Sequence, residues 1–291
     1  MIARLVRCVL CCGVLVSSAE AQGTDTTIDV SPGTRLRIDL DAGKLDIRAW
    51  DRAAVRIRGT HPASTAIRTS AVSGLLSVSV SGRGVAECEC SLTVPRAMAL
   101  TLGGGDTEIS VMGTRAEISA RNYSGRIAID GGREKISAES TLGEVTISNA
   151  HGRVSAKSLH APIRISDVEG DVEAEGSSNH VYLTGITAHS VSASTVGGVL
   201  QFTGRFFDDG HYSFATHMGA IWLTVPEPVN ARVRVSTVSG AFASALAHVR
   251  EDGQRRGRFT IVFGTGTATV DAQTFAGAIV VRAPEKPKSR D

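Results

Sequence analysis

ISARNYSGRIAIDGGREK (118–135), ISAESTLGEVTISNAHGR (136–153), VSAKSLHAPIRISDVEGD (154–171) and VEAEGSSNHVYLTGITAHS (172–190) follow one another without interruption. Their first residues, Ile118, Ile136, Val154 and Val172, are 18 residues apart, and the next unit opens 19 residues later at Val191. Self-similarity at a fixed period, with no heptad and no cysteine framework, marks a solenoid or a repeated β-array. Each unit reads as two short strands and two turns. Two residues after the opening position come Ala120, Ala138, Ala156 and Ala174 on the same side of the first strand, which predicts a narrow interior there. Gly125 and Gly143, with Ala161 and Asn179 in the equivalent slots, precede a second alternating strand carrying Ile127/Ile129, Val145/Ile147, Ile163/Ile165 and Val181/Leu183. Gly131, Asn149, Asp167 and Gly185 share the closing slot, and all suit a turn or left-handed backbone.

Outward from these units the same frame, an apolar residue with a Gly seven positions later and then an alternating strand, fits Leu36/Gly43, Ile67/Gly74, Met98/Gly105, Val191/Gly198, Tyr212/Gly219, Val233/Gly240 and Val270/Gly277. One β-strand-repeat domain is therefore expected over 22–282, with Pro95 and Pro226 at strand ends and a polar hairpin loop at 248–258. Residues 283–291, with Pro284 and Pro287 among charges, read as a disordered tail. Two stackings accommodate the unit: parallel coils of about 18 residues wound as a β-helix-like solenoid, or an antiparallel β-sandwich. Arg121, Glu139, Lys157 and Glu175 occupy one slot of consecutive units, and in parallel coils they form an exposed ladder of alternating sign. That favours the all-β parallel solenoid. The left-handed helices of acyltransferases also wind 18-residue coils, but they need an apolar residue at every sixth position, where this chain has Ser124, His160, Ser178 and Asp130.

Of the 291 residues, 42% are hydrophobic and 21% charged, enough apolar material for a core and too little charge for a disordered chain. Aromatics are 4%, which disfavours binding modes that depend on many stacked rings. The N-terminus reads as an export signal over 1–21: Arg4 and Arg7, an apolar run from Cys8 to Val16, and Ala19-Glu20-Ala21 as a cleavage site before Gln22. Without it the chain holds 29 basic and 28 acidic side chains, no electrostatic footprint for nucleic acid, and no stretch long enough for an integral membrane span. Cys88 and Cys90 then remain, pointing to one face of a strand with Cα atoms near the upper limit of disulfide reach, about 6.8 Å. Two small buried thiols under exposed glutamates is the preferred reading.

Gly43-Lys44-Leu45-Asp46-Ile47-Arg48-Ala49-Trp50-Asp51 behind a leader, the Val94-Pro95 and Val225-Pro226 strand ends, and Gly264-Thr265-Gly266 before VDAQTFAGAIVV resemble the bacterial adhesin-type β-strand-repeat proteins of the cell envelope. The resemblance spans nearly the whole mature chain. It implies a β-helix-like exported protein, periplasmic, secreted or at the cell surface, and offers no catalytic residues to carry over.

No catalytic constellation holds together. The eight histidines are scattered, each read as an exposed strand or turn residue. Asp208, Asp209 and His211 bunch two carboxylates beside an imidazole in a loop that interrupts the repeat, a weak metal candidate otherwise read as an acidic turn. Tyr182, Gln201 and Trp222 share one slot, continued by Arg164, and form the one row nominated for a ligand, against a reading as ordinary sheet surface. The function expected is a non-enzymatic envelope protein that binds another protein or a glycan, or serves as scaffold. The alternative is a glycan-active β-helix enzyme of the lyase or hydrolase kind, which would need an acid, a base and sugar-stacking rings in a cleft. No cofactor is implied.

Overall fold

The computed structural model describes residues 22–82, 87–251 and 257–284, so the export signal and most of the C-terminal tail lie outside the described residues. The described chain is all-β, with no helix among its 25 strands. Each repeat unit forms one rung of two strands, one in each of two parallel ladders. In the first, Ile118, Ile136, Val154 and Val172 are direct partners, and the row extends through Val191, Tyr212, Val270 and Val233 on one side and through Leu100, Leu36 and Leu76 on the other. In the second, Ile127, Val145, Ile163 and Val181 are partners, continued by Leu200, Ile221 and Ile279, and by Ile109 and Leu45. Every one of these side chains is buried, and they belong to a single hydrophobic cluster. Side-chain alternation is what aligns them: a slip of one residue in any rung would turn its whole apolar set to water.

Rung order departs from chain order at both ends. The rung at 75–95 stacks outside the rung at 35–50, which is therefore sandwiched against 100–114. At the far end the last segment, 268–282, sits between 211–224 and 231–244. Antiparallel strands then cover exposed ladder edges: Ala54–His61 lies on Glu87–Pro95, Gln22–Asp29 on Ala54–His61, Thr65–Val72 on Leu75–Gly82, and Arg258–Phe263 on Ala231–Thr237. An open ladder edge presents unpaired N–H and C=O groups, and each covering strand pairs those of the parallel ladder, so that antiparallel strands form the outer edges. Ile67 and Gly74, expected in the repeat frame, belong instead to one of these hairpins, whose turn places Ser73 and Gly74 at φ 50° and 76°. Leu100, not Met98, occupies the row position, because Met98 closes a turn onto the Pro95 carbonyl.

The corner between the ladders is polar inside. Asn122, Ser140 and Ser158 stand one above another, buried, and after Gly176 in the next rung the column continues with Thr195, Thr216, Thr274 and Thr237. They serve the backbone of the glycine turn that follows: Asn122 Nδ2 donates to the Thr107 and Gly125 carbonyls at 2.9 Å each, and Ser140 Oγ accepts from the Gly143 N–H at 2.9 Å. A buried backbone group without a partner costs about 1–3 kcal/mol, so this column is what lets the corner be dry. The closing slot also behaves as its residues require: Gly131, Asn149, Asp167 and Gly185 all have positive φ, at 109°, 53°, 53° and 65°.

Cys88 and Cys90 are joined by a disulfide, which corrects the expectation of two free thiols. Their Cα atoms are 5.5 Å apart, inside the range a disulfide spans, because a twisted, pleated strand advances less per residue than a flat one. Gly59 on the antiparallel neighbour lies against the bond, where a Cβ would collide with Ile67 Cδ1 and come within 3.3 Å of Cys88 Sγ. His61 is also not an exposed strand residue. It is 5% exposed and its Nε2 lies 3.1 Å from Thr24 Oγ1. The charged ladder is realised: Arg121 faces Glu139 at 3.0 Å and Lys157 faces Glu175 at 2.7 Å. The Glu175 carboxylate raises the Lys157 pKa by accepting its hydrogen bond. Each such surface pair contributes at most about 1 kcal/mol, so the ladder fixes register more than stability.

Candidate binding face

The second ladder shows its alternate residues to solvent. With Ile163/Ile165, Val181/Leu183, Leu200/Phe202 and Ile221/Leu223 buried, Arg164, Tyr182, Gln201 and Trp222 must point outward, and they are successive register partners. The row nominated from sequence is therefore contiguous. Arg164 lies over the Tyr182 ring, 4.4 Å from its centroid, while its Nε donates to Glu144 Oε1 at 2.9 Å. Arg282 lies over the Trp222 ring at 4.7 Å and donates to Thr224 Oγ1 at 3.3 Å. His180, tilted against Tyr182, accepts the Val199 N–H on Nδ1 at 2.9 Å, which assigns the ring proton of the neutral imidazole to Nε2. A parallel row of hydroxyls, Ser166, Thr184, Thr203 and Thr224, runs beside the aromatic row.

A feature missed in the sequence adjoins this face. The rungs at 190–204 and 211–225 contain no Asp, Glu, Lys or Arg. Seven of the twelve exposed large apolar side chains collect on the corner leading to the face: Tyr123, Leu142, Leu159, Val196, Met218, Phe275 and Val238. Val196 and Met218 stand on the two uncharged rungs, and Phe275, on the rung beside them, is stacked on His217 at 4.9 Å. Reading the slots six and seven positions into each unit down the repeat would have exposed this ridge. Ser177 and Ser178 occupy these slots in the unit at 172–190 and divide the ridge in two.

The acidic loop does not converge on one point. Asp209 Oδ1 binds His189 Nδ1 at 2.8 Å, and that hydrogen bond holds its carboxyl below the usual range. Asp208 turns away to Thr267 Oγ1 at 2.8 Å and Asn230 Nδ2 at 3.5 Å. His211 enters a strand opposite Ser190 and Thr269. Among the described residues no group of three or more His, Cys, Asp or Glu is placed to hold a metal ion. What the loop does have is an anchor: the buried Tyr212 hydroxyl donates to the Ala188 carbonyl at 2.7 Å and accepts the Phe207 N–H at 2.9 Å, and burial pushes its phenol pKa up.

No family model matches the chain, and no curated protein matches it. Three solved structures similar to it are each called a "putative adhesin". One is from Parabacteroides distasonis, 10% identical with a TM-score of 0.48, the match covering 91% of this chain and 98% of that one. The second is from Bacteroides fragilis, 11% identical at 0.45, covering 91% and 99%. The third is from Parabacteroides merdae, 10% identical at 0.38, covering 91% and 97%. These structures bear the adhesin name of the envelope proteins that the sequence resembles; at such identity and TM-score, the rung register carries the description of the fold.

Proposed function

We propose that this chain is an exported, non-enzymatic binding protein of the cell envelope, built as a β-solenoid whose second face, between Arg164 and Arg282, docks an extended partner: a glycan or another envelope protein. The observation that carries the reading is the alignment of Arg164, Tyr182, Gln201 and Trp222 in one outward-facing row beside a corner that gathers exposed apolar side chains. Strand spacing puts Tyr182 and Trp222 two rungs, roughly 9.6 Å, apart. A linear polymer lying along the solenoid axis would meet ring faces at that interval and hydroxyls from the threonine row between them. Both rings are held by arginines through cation–π contact, which limits what they lose in freedom on binding.

Support for solenoid winding is the one-to-one parallel register of 18-residue units in both ladders. Support for a non-catalytic role is chemical. An acid and base working together must share a site, and the carboxylate–imidazole pair in the interrupting loop, Asp209 with His189, is exposed, its imidazole stacked on Phe207 at 4.6 Å and hydrogen-bonded to no further polar group among the described residues. Export rests on the leader read from sequence.

Screening the mature protein against a glycan array, with pull-down from envelope extract in parallel, tests the binding reading. Tyr182→Ala combined with Trp222→Ala is expected to weaken the captured interaction by a factor of ten or more, as removal of buried aromatic anchors does. Turnover of a polysaccharide that disappears in Asp209→Asn would replace this reading with the glycan-active one. Intact mass of protein recovered from its native envelope is expected to begin at Gln22; a mass that retains residues 1–21 would refute processed export.

A further inference from the structure

Three turns meet at the N-terminal end of the molecule, on a corner remote in the repeat from the face just described. They enclose a hollow of about 350 Å³ between Val30, Pro32, Trp50, Pro95 and Met98. That volume falls within the range of small-molecule sites, about 300–1,000 Å³. Its walls are preformed. The Val30 N–H donates to the Ala53 carbonyl at 3.0 Å, the Arg96 N–H to the Trp50 carbonyl at 3.2 Å, and the Met98 N–H to the Pro95 carbonyl at 3.0 Å. The Trp50 indole N–H is spent on the Ala54 carbonyl at 2.8 Å, which locks the ring and leaves its apolar surface toward the hollow. Pro32 and Pro95 bring no N–H of their own.

The two cations at the mouth differ. Arg96 is neutralised, its Nε donating to Asp51 Oδ1 at 2.7 Å. Arg52 lies over the Trp50 ring, 5.3 Å from its centroid, and has no carboxylate partner among the described residues. An open, proline- and tryptophan-lined hollow with one uncompensated guanidinium at its rim fits a molecule that is apolar along its body and singly anionic at one end. We infer that this hollow is a binding site for such an amphiphile, its alkyl or aryl body resting on Trp50, Val30 and Met98 and its anionic head meeting Arg52.

The chain has two tryptophans, so Trp222→Phe leaves Trp50 as the sole indole reporter. Titrating the mature Trp222→Phe protein with dodecanoate below its micelle concentration, following Trp50 emission, is expected to give a saturable change at one ligand per chain. Arg52→Glu in that background should weaken dodecanoate about ten-fold or more while leaving dodecyltrimethylammonium unweakened, because only the head-group charge is answered by Arg52. Ala97→Phe, at an exposed position on the lining, should abolish the response by filling the hollow without adding a second indole, with thermal unfolding unchanged. An unsaturable response, a stoichiometry above one, or equal dodecanoate affinity in Arg52→Glu would overturn the assignment.

Discussion

Replacing Ile147 with Asp is expected to lower stability by about 5 kcal/mol, a drop of roughly 10–20 °C in unfolding temperature for a chain of this size. Ile147 is fully buried, in register between Ile129 below and Ile165 above, with no polar atom of its own to match. A carboxylate there would either ionise without a partner or take up a proton at a cost of the same order. The neighbouring Thr146 points outward on the same strand, between Ala128 and Arg164, and accepts from Arg126 at 3.4 Å. Thr146→Asp should therefore change stability by no more than about 0.5 kcal/mol. Chemical denaturation of both variants checks the pair, and equal losses would refute the assigned alternation.

The glycine corner gives the second large effect, in a comparison that separates backbone conformation from crowding. Gly33 and Gly125 have nearly the same φ, 83° and 86°. A Cβ on Gly33 would meet nothing within 4 Å, whereas one on Gly125 would collide with the Thr107 carbonyl oxygen and lie 2.6 Å from its carbon. Gly33→Ala should cost about 1 kcal/mol, the ordinary penalty for an L residue in left-handed backbone. Gly125→Ala should cost about 3 kcal/mol or more, because the obstacle is main chain held in a ladder and the shift would also break the hydrogen bonds from Asn122 to the Thr107 and Gly125 carbonyls. Matched thermal melts measure both, and similar losses would mean that the rungs move apart more readily than their hydrogen bonding implies.

These effects also locate where the repeat tolerates change. The interior rows and the glycine turn are set by backbone approach and dryness, while the outward slots vary freely between charge in the rungs from 118 to 187 and none in those at 190–204 and 211–225. A protein whose fold constrains one half of each strand and leaves the other half open can change its binding face without changing its frame. The candidate face lies on the unconstrained half, which is consistent with binding residues being the least repetitive part of a repetitive chain.

Period and alternation, both local properties, were enough to determine the unit: which residues of 118–187 point inward, that Asn149 and Asp167 take left-handed backbone, and that Arg164, Tyr182, Gln201 and Trp222 share a row. A register of 18 residues leaves no freedom once one side is dry, so these followed from the order of amino acids alone. Tertiary structure decided what depends on contacts between distant segments. The interleaving of 35–50 and 268–282 between other rungs is of that kind, as are the hairpin that claims Ile67 and the hollow made by three turns from 30–34, 50–53 and 95–98. The Cys88–Cys90 bond belongs there too, for its geometry depends on strand twist and on Gly59 lying opposite, and neither is visible in Cys-x-Cys spacing. Segment order in space is free wherever successive units are interchangeable in shape, and only the energy of packing their edges chooses among the arrangements.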